Sequence, residues 1–177
     1  MAVTDRVAAT PGKRSPHARE TEVMLAKSSS YNDVRLRVKE YLEHRDGTPL
    51  APIDGFDKFF HAANRLYLII IVDRGNWIGI PRDVLRLVKL DQRTDRLMVA
   101  KMEEGSIIRL YEGELSAFNG KMGIKYLSPK TKNYELHLVY GPDKITVKEN
   151  GIVIPKVDEL RPSAQELSAA KSLGIKL

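Results

Sequence analysis

The side chains best placed to do chemistry in this sequence are arginines, and their chemistry is anion recognition, not bond breaking. Arg82 and Arg86 lie four residues apart, so on a helix they stack on one side, and Arg74 precedes them in a turn. A guanidinium fork can grip phosphate or the edge of a guanine. The residues that break bonds are poorly arranged. His17, His44, His61 and His137 are scattered without metal-ligand spacing. The chain has no cysteine nucleophile, no serine in a Gly-x-Ser-x-Gly elbow and no glycine-rich phosphate loop before a helix. Asp95, Glu135 and a nearby lysine could be drawn as a divalent-ion site, but a chain so rich in charge offers many such triples. The expectation is a protein without catalytic residues, bound metal or cofactor.

These arginines must be held by the elements of residues 67–111. Residues 67–72 form an apolar strand pattern, and Asp73-Arg74-Gly75-Asn76 supplies turn chemistry. Residues 77–80 make a second short strand. Pro81 suits the first position of a helix, where its missing N–H costs nothing. Val84, Leu85 and Val88 give that helix an apolar side, with Arg82, Arg86 and Lys89 opposite. Leu90 closes it and residues 91–95 are turn-like. Leu97 and Val99 alternate with Arg96, Met98 and Lys101 as in a half-buried strand. Glu104-Gly105 is a hairpin turn, and residues 106–111 return as a strand.

That order resembles the AbrB/SpoVT family of swapped-hairpin DNA-binding domains. The residues that carry the resemblance are Val72-Asp73, Ile78-Gly79-Ile80-Pro81, Val84, Val88, Leu90, Asp95, Leu97, Val99 and Glu104-Gly105-Ser106-Ile107. It covers about a quarter of the chain and departs from the family at three places. Asn76-Trp77 stands where the family usually has Gly-Arg, an arginine that often contacts DNA. Lys89 replaces a glycine after the helix, and Thr94-Asp95 replaces Gly-Asp. The resemblance implies a homodimer in which each chain lends two hairpins to an interleaved barrel. Sharing strands would close the edges of a unit too small to bury much alone. It also implies a groove-facing set made of Arg74, Asn76, Arg82 and Arg86, set against double-stranded DNA.

The remaining chain sets bounds. It has 177 residues, a 42% hydrophobic content and a formal net charge of +6, enough for a core and modestly in favour of a polyanionic partner. No apolar run is long enough to span a bilayer, and no secretory signal is evident, so a cytoplasmic location is the default. Residues 1–30 lack an apolar period and read as a disordered basic tail, either solvated or touching phosphates. Residues 31–66 read as a helical segment. Within it, residues 31–45 fit a strand or a helix, and Phe56, Phe59, Phe60, Ala63 and Leu66 recur at helical spacing over residues 56–65. Residues 112–155 read as a β-meander, with strands at 122–126 and 134–140 and a hairpin around Asn150-Gly151. Lys121, Lys125, Lys130 and Lys132 lie near Tyr126 and Tyr134, a pattern that would suit single-stranded nucleic acid or a solvated loop. Residues 156–177 form a tail with a short helix headed by the capping box Ser163-Ala164-Gln165-Glu166. The expected fold is α+β, mainly β: a swapped-hairpin small barrel with an N-terminal helical segment and a C-terminal β-meander. The expected function is a DNA-binding transcriptional regulator or antitoxin acting as a homodimer, with the tails open to another protein. The alternatives are a protein-interaction module built on the small barrel, and an RNA-binding β-protein.

Overall fold

The unbroken apolar run that ends at Val72 needs cover on both faces, and the fold supplies it. The computed structural model describes residues 16–91 and 93–174, with side-chain surroundings from Tyr31 on except at 105 and 170. The chain divides into two units, Met1–Asp33 and Val34–Leu177. Helix α1 (Pro16–Asp46) begins in the first unit. The expectation of an unstructured arm is thus corrected from Pro16 onward, since the backbone of residues 16–30 is helical. Ala, Glu, Met, Leu and Lys, all good helix formers, outweigh the serines there. Residues 1–15 lie outside the described residues.

The second unit continues with β1 (Ala51–Ile53), β2 (Phe56–His61), β3 (Arg65–Val72), β4 (Trp77–Pro81), α2 (Arg82–Leu90), β5 (Thr94–Met102) and β6 (Ile108–Gly113). Then come β7 (Asn133–Tyr140), β8 (Lys144–Val147), β9 (Val153–Leu160) and α3 (Ala164–Ser172). The nine strands form one sheet in the order β1-β2-β3-β5-β6-β9-β8-β7-β4, curled into a half-barrel. The class is α+β and mainly β. Only β3 and β5 run parallel, from Arg65↔Thr94 to Val72↔Lys101; β4 and α2 form the long crossover that a parallel pair requires.

Alternation along the strands sorts side chains into two cores. Leu66, Leu68, Ile70 and Val72 of β3 face the interior with Ile78 and Ile80 of β4, and α2 adds Val84, Leu85 and Val88. Tyr67 and Ile69 face the other way with Met98, Ala100 and Leu110, under Val34, Val38 and Leu42 of α1. β3 is apolar almost throughout because both its faces are covered. The ambiguity of residues 31–45 therefore resolves as helix: Val34, Val38 and Leu42 are buried, whereas Leu36, which only the strand reading needs, is 53% exposed.

Two expected elements are corrected. Residues 56–65 are not a helix; β2 occupies Phe56–His61 and pairs with β1 through a turn at Asp54-Gly55, where Gly55 has φ 83°. Phenylalanines spaced for a helix also serve a strand when it is covered on both sides. Phe59 enters the interior and Phe60 the layer under α1. Residues 122–126 are not a strand either. Tyr126 N donates to Gly123 O and Leu127 N to Ile124 O, each at 3.0 Å, which closes a 3-10 turn over Ile124–Tyr126.

Within residues 67–111 the expected elements occur in order, with a 3-10 turn at Glu104–Ser106 between β5 and β6. The pairing departs from two exchanged hairpins. β3 and β4 do not pair with each other; β3 takes β5, β4 takes β7, and β6 takes β9 as well as β5. The strands of residues 112–155 thus complete the same sheet. The Asn150-Gly151 turn joins β8 to β9 with Gly151 at φ 72°, and Ser163 and Glu166 form the capping box of α3.

Candidate nucleic-acid interface

Helix α2 is amphipathic by spacing. Val84, Leu85 and Val88 are buried, while Arg86 and Lys89 are exposed on the opposite side. Asp83 in its first turn suits the positive end of the helix dipole. Pro81 has no side chain to cap the helix, so the first free N–H finds a partner elsewhere: Arg82 N donates to Lys132 O at 3.1 Å. This bond fixes a lysine loop against the start of the helix. The loop is tight. Lys132 N donates to Ser128 O and Ser128 N to Asn133 O, each at 2.9 Å, and Lys132 takes the left-handed φ of 58°. Lys130 and Lys132 are both exposed.

The segment that carries this loop flanks α2. Leu115 and Phe118, in the 3-10 turn Leu115–Phe118, share a core with Val84, Leu85 and Val88. The turn is held by Asp95, buried at the start of β5, whose carboxylate accepts Ser116 N at 3.0 Å. Residues 115–134 carry Lys121, Lys125, Lys130 and Lys132 against no acid, and α2 carries Arg82, Arg86 and Lys89 against Asp83. Together these two segments hold the whole of the chain's formal excess of +6. Over the rest of the chain the formal charges sum to zero, residues 1–30 at +2 offsetting residues 91–114 at −2. Arg45, Arg65 and Arg96 line a cleft of about 620 Å³, but they are engaged by Asp46, Glu112 and Glu114.

The expected site residues fall into two pairs. Arg82 and Arg86 stand together, with the Asp83 carboxylate 3.8 Å from one and 3.5 Å from the other; Arg86 keeps 64% of its side chain exposed. Arg74 and Asn76 are exposed in the turn before β4. At about 3.3 Å per strand residue, that turn is about 20 Å from Arg82, so Arg74 does not join the helix arginines in one cluster. The lysine loop does meet the helix, where the Lys132 carbonyl accepts Arg82 N. The signal for that was present in the sequence as a run of lysines without acids, but nothing in it indicated that the run returns to Pro81-Arg82.

Asp95 and Glu135 do not meet: alternation points Asp95 into the interior with Leu97, and Glu135 outward between Tyr134 and Leu136. Among the described residues, no three His, Asp or Glu side chains group as metal ligands, and no helix is long and apolar enough to cross a membrane. Comparison of the chain with protein-family models, with curated proteins and with solved structures finds no match.

Proposed function

We propose that this protein binds double-stranded DNA through the face built by α2 and the 121–132 loop, as a transcriptional regulator or antitoxin of the kind the AbrB/SpoVT resemblance suggests. The observation that carries the reading is the gathering of a net charge of +6 on two segments joined by the Arg82–Lys132 bond. A cationic surface of this kind binds by releasing counterions from the phosphate backbone. The resemblance brings a homodimer with it. Because β3 to β6 already have partners within one chain, such a dimer would join two finished sheets rather than exchange hairpins. A second reading, a protein-interaction module, has Val139, Val153 and Val157 in its favour, three exposed apolar side chains on β7 and β9.

The test is binding to one duplex across a salt series. Arg82→Ala/Arg86→Ala and Lys130→Ala/Lys132→Ala should each flatten the plot of log affinity against log salt by about two contacts per chain, and about four in a dimer. Folding should hold, since Arg86, Lys130 and Lys132 are exposed and Arg82 is half-buried. Slopes unchanged in folded variants would move the DNA surface elsewhere. No binding by wild type at low salt would favour the interaction module.

A further inference from the structure

We infer that the outer face of the β4–β7 edge is a stacking site for an unpaired nucleobase, with Trp77 as its platform; this rests on the nucleic-acid reading and adds to the duplex-binding face a separate site for a segment with unpaired bases. Trp77 is the only tryptophan in the chain and is 57% exposed. An indole left in water at an edge strand has no folding role that accounts for it. It packs only lightly on the turn before it, where a Cβ on Gly75 would sit 3.7 Å from its ring.

The surroundings fit a base better than a protein side chain. Gly79 follows Trp77 on the same face, and its missing side chain lets Asn133 lie over the strand there, where a Cβ would sit 3.1 Å from Asn133 Nδ2. Across the ladder lie His137 opposite Trp77, Glu135 opposite Gly79 and Asn133 opposite Pro81. Asn133 offers donors and an acceptor, and Glu135 accepts from the exocyclic amino groups of cytosine or adenine. The Glu135 charge repels phosphate from the middle of the face. The cations stand toward its ends: Arg82 and Lys132 at one, Arg74 at the other, with exposed Lys148 beside His137 through a backbone bond of 2.9 Å; the Glu149 carboxylate holds the His137 ring at 2.7 Å and accepts its backbone N at 2.9 Å. A strand would therefore lay its bases on the sheet and its phosphates along the rim, as in sequence-tolerant binding of single strands.

The single tryptophan makes the test direct. Its fluorescence is followed while the full chain is titrated at low salt with a mixed-sequence single strand, with the blunt duplex of the same sequence and with a duplex carrying an overhang. Single strand and overhang should quench the emission and the blunt duplex should not. Trp77→Ala should weaken single-strand binding about tenfold, with Trp77→Phe in between, and should leave blunt-duplex binding unchanged. Circular dichroism controls for folding. Single strands that bind without quenching, or a Trp77→Ala variant that binds them as wild type does, would overturn the stacking site and leave the cationic face standing. If no nucleic acid binds wild type at low salt, the cationic reading falls and this inference falls with it.

Discussion

Asp91 and Arg93 flank the end of α2 and bind each other closely. The Asp91 carboxylate accepts Arg93 N and Arg93 Nε, each at 2.9 Å, and these bonds hold its pKa down to about 2. Since the folded value lies below the ordinary one near 4, the pair stabilises the fold above about pH 4. That contribution is lost as pH falls from about 4 to about 2. Carboxyl NMR should show Asp91 titrating near 2 in wild type and higher in Arg93→Ala, short of the ordinary value near 4 because the backbone bond from residue 93 remains. The stability difference at neutral pH should stay below about 1 kcal/mol, because the pair is partly exposed. An Asp91 that titrates in the ordinary range in wild type would mean that the pair does not persist in solution. At this scale the sequence was informative where periodicity applies and silent elsewhere. The four-residue spacing of Arg82 and Arg86 predicted their shared side. Nothing adjacent to Trp77 predicts its exposure, because what leaves it open is that none of the described residues covers that face of β4 and β7, a property of distant segments.

Helices with a clear stripe were legible and strands with competing periods were not. α2 follows from Pro81 and three apolar residues on one side. β2 is masked in the sequence because three phenylalanines spaced for a helix outweigh the Asp54-Gly55 dipeptide, although Asp-Gly between two apolar runs is a hairpin signal. α1 shows how an element divides its work. Its Leu42 is fully buried beneath the sheet, so Leu42→Ala should cost about 2–5 kcal/mol in urea unfolding. Since the chain divides after Asp33, deleting residues 1–30 should leave the thermal midpoint nearly unchanged. A deletion that lowers the midpoint by several degrees, or a Leu42→Ala variant as stable as wild type, would show that α1 is not used in this way.

For the molecule as a whole, the class was legible and the strand order was not. Alternation tells which face a side chain takes but not which strand lies beside it. Every strand expected in residues 67–111 exists, yet β4 and β6 draw partners from residues 133–160. A fragment of residues 67–111 should therefore show no cooperative thermal transition and a monomer mass by light scattering. A folded dimer would instead establish hairpin exchange as a structure this sequence can adopt. The same wiring has a consequence in time. β4 is the fourth strand to leave the ribosome and the last in the sheet, and its partner residues, such as His137 opposite Trp77, come some sixty residues later. At about 5–20 residues per second, that is a delay of about 3–12 s, during which Ile78 and Ile80 belong to a strand with no ladder. β4 finds its ladder only when β7 arrives, and completion of the sheet waits further for β9, which joins that pair to β6; a nascent chain that stalls before residue 133 presents an unpaired apolar edge to whatever is nearby.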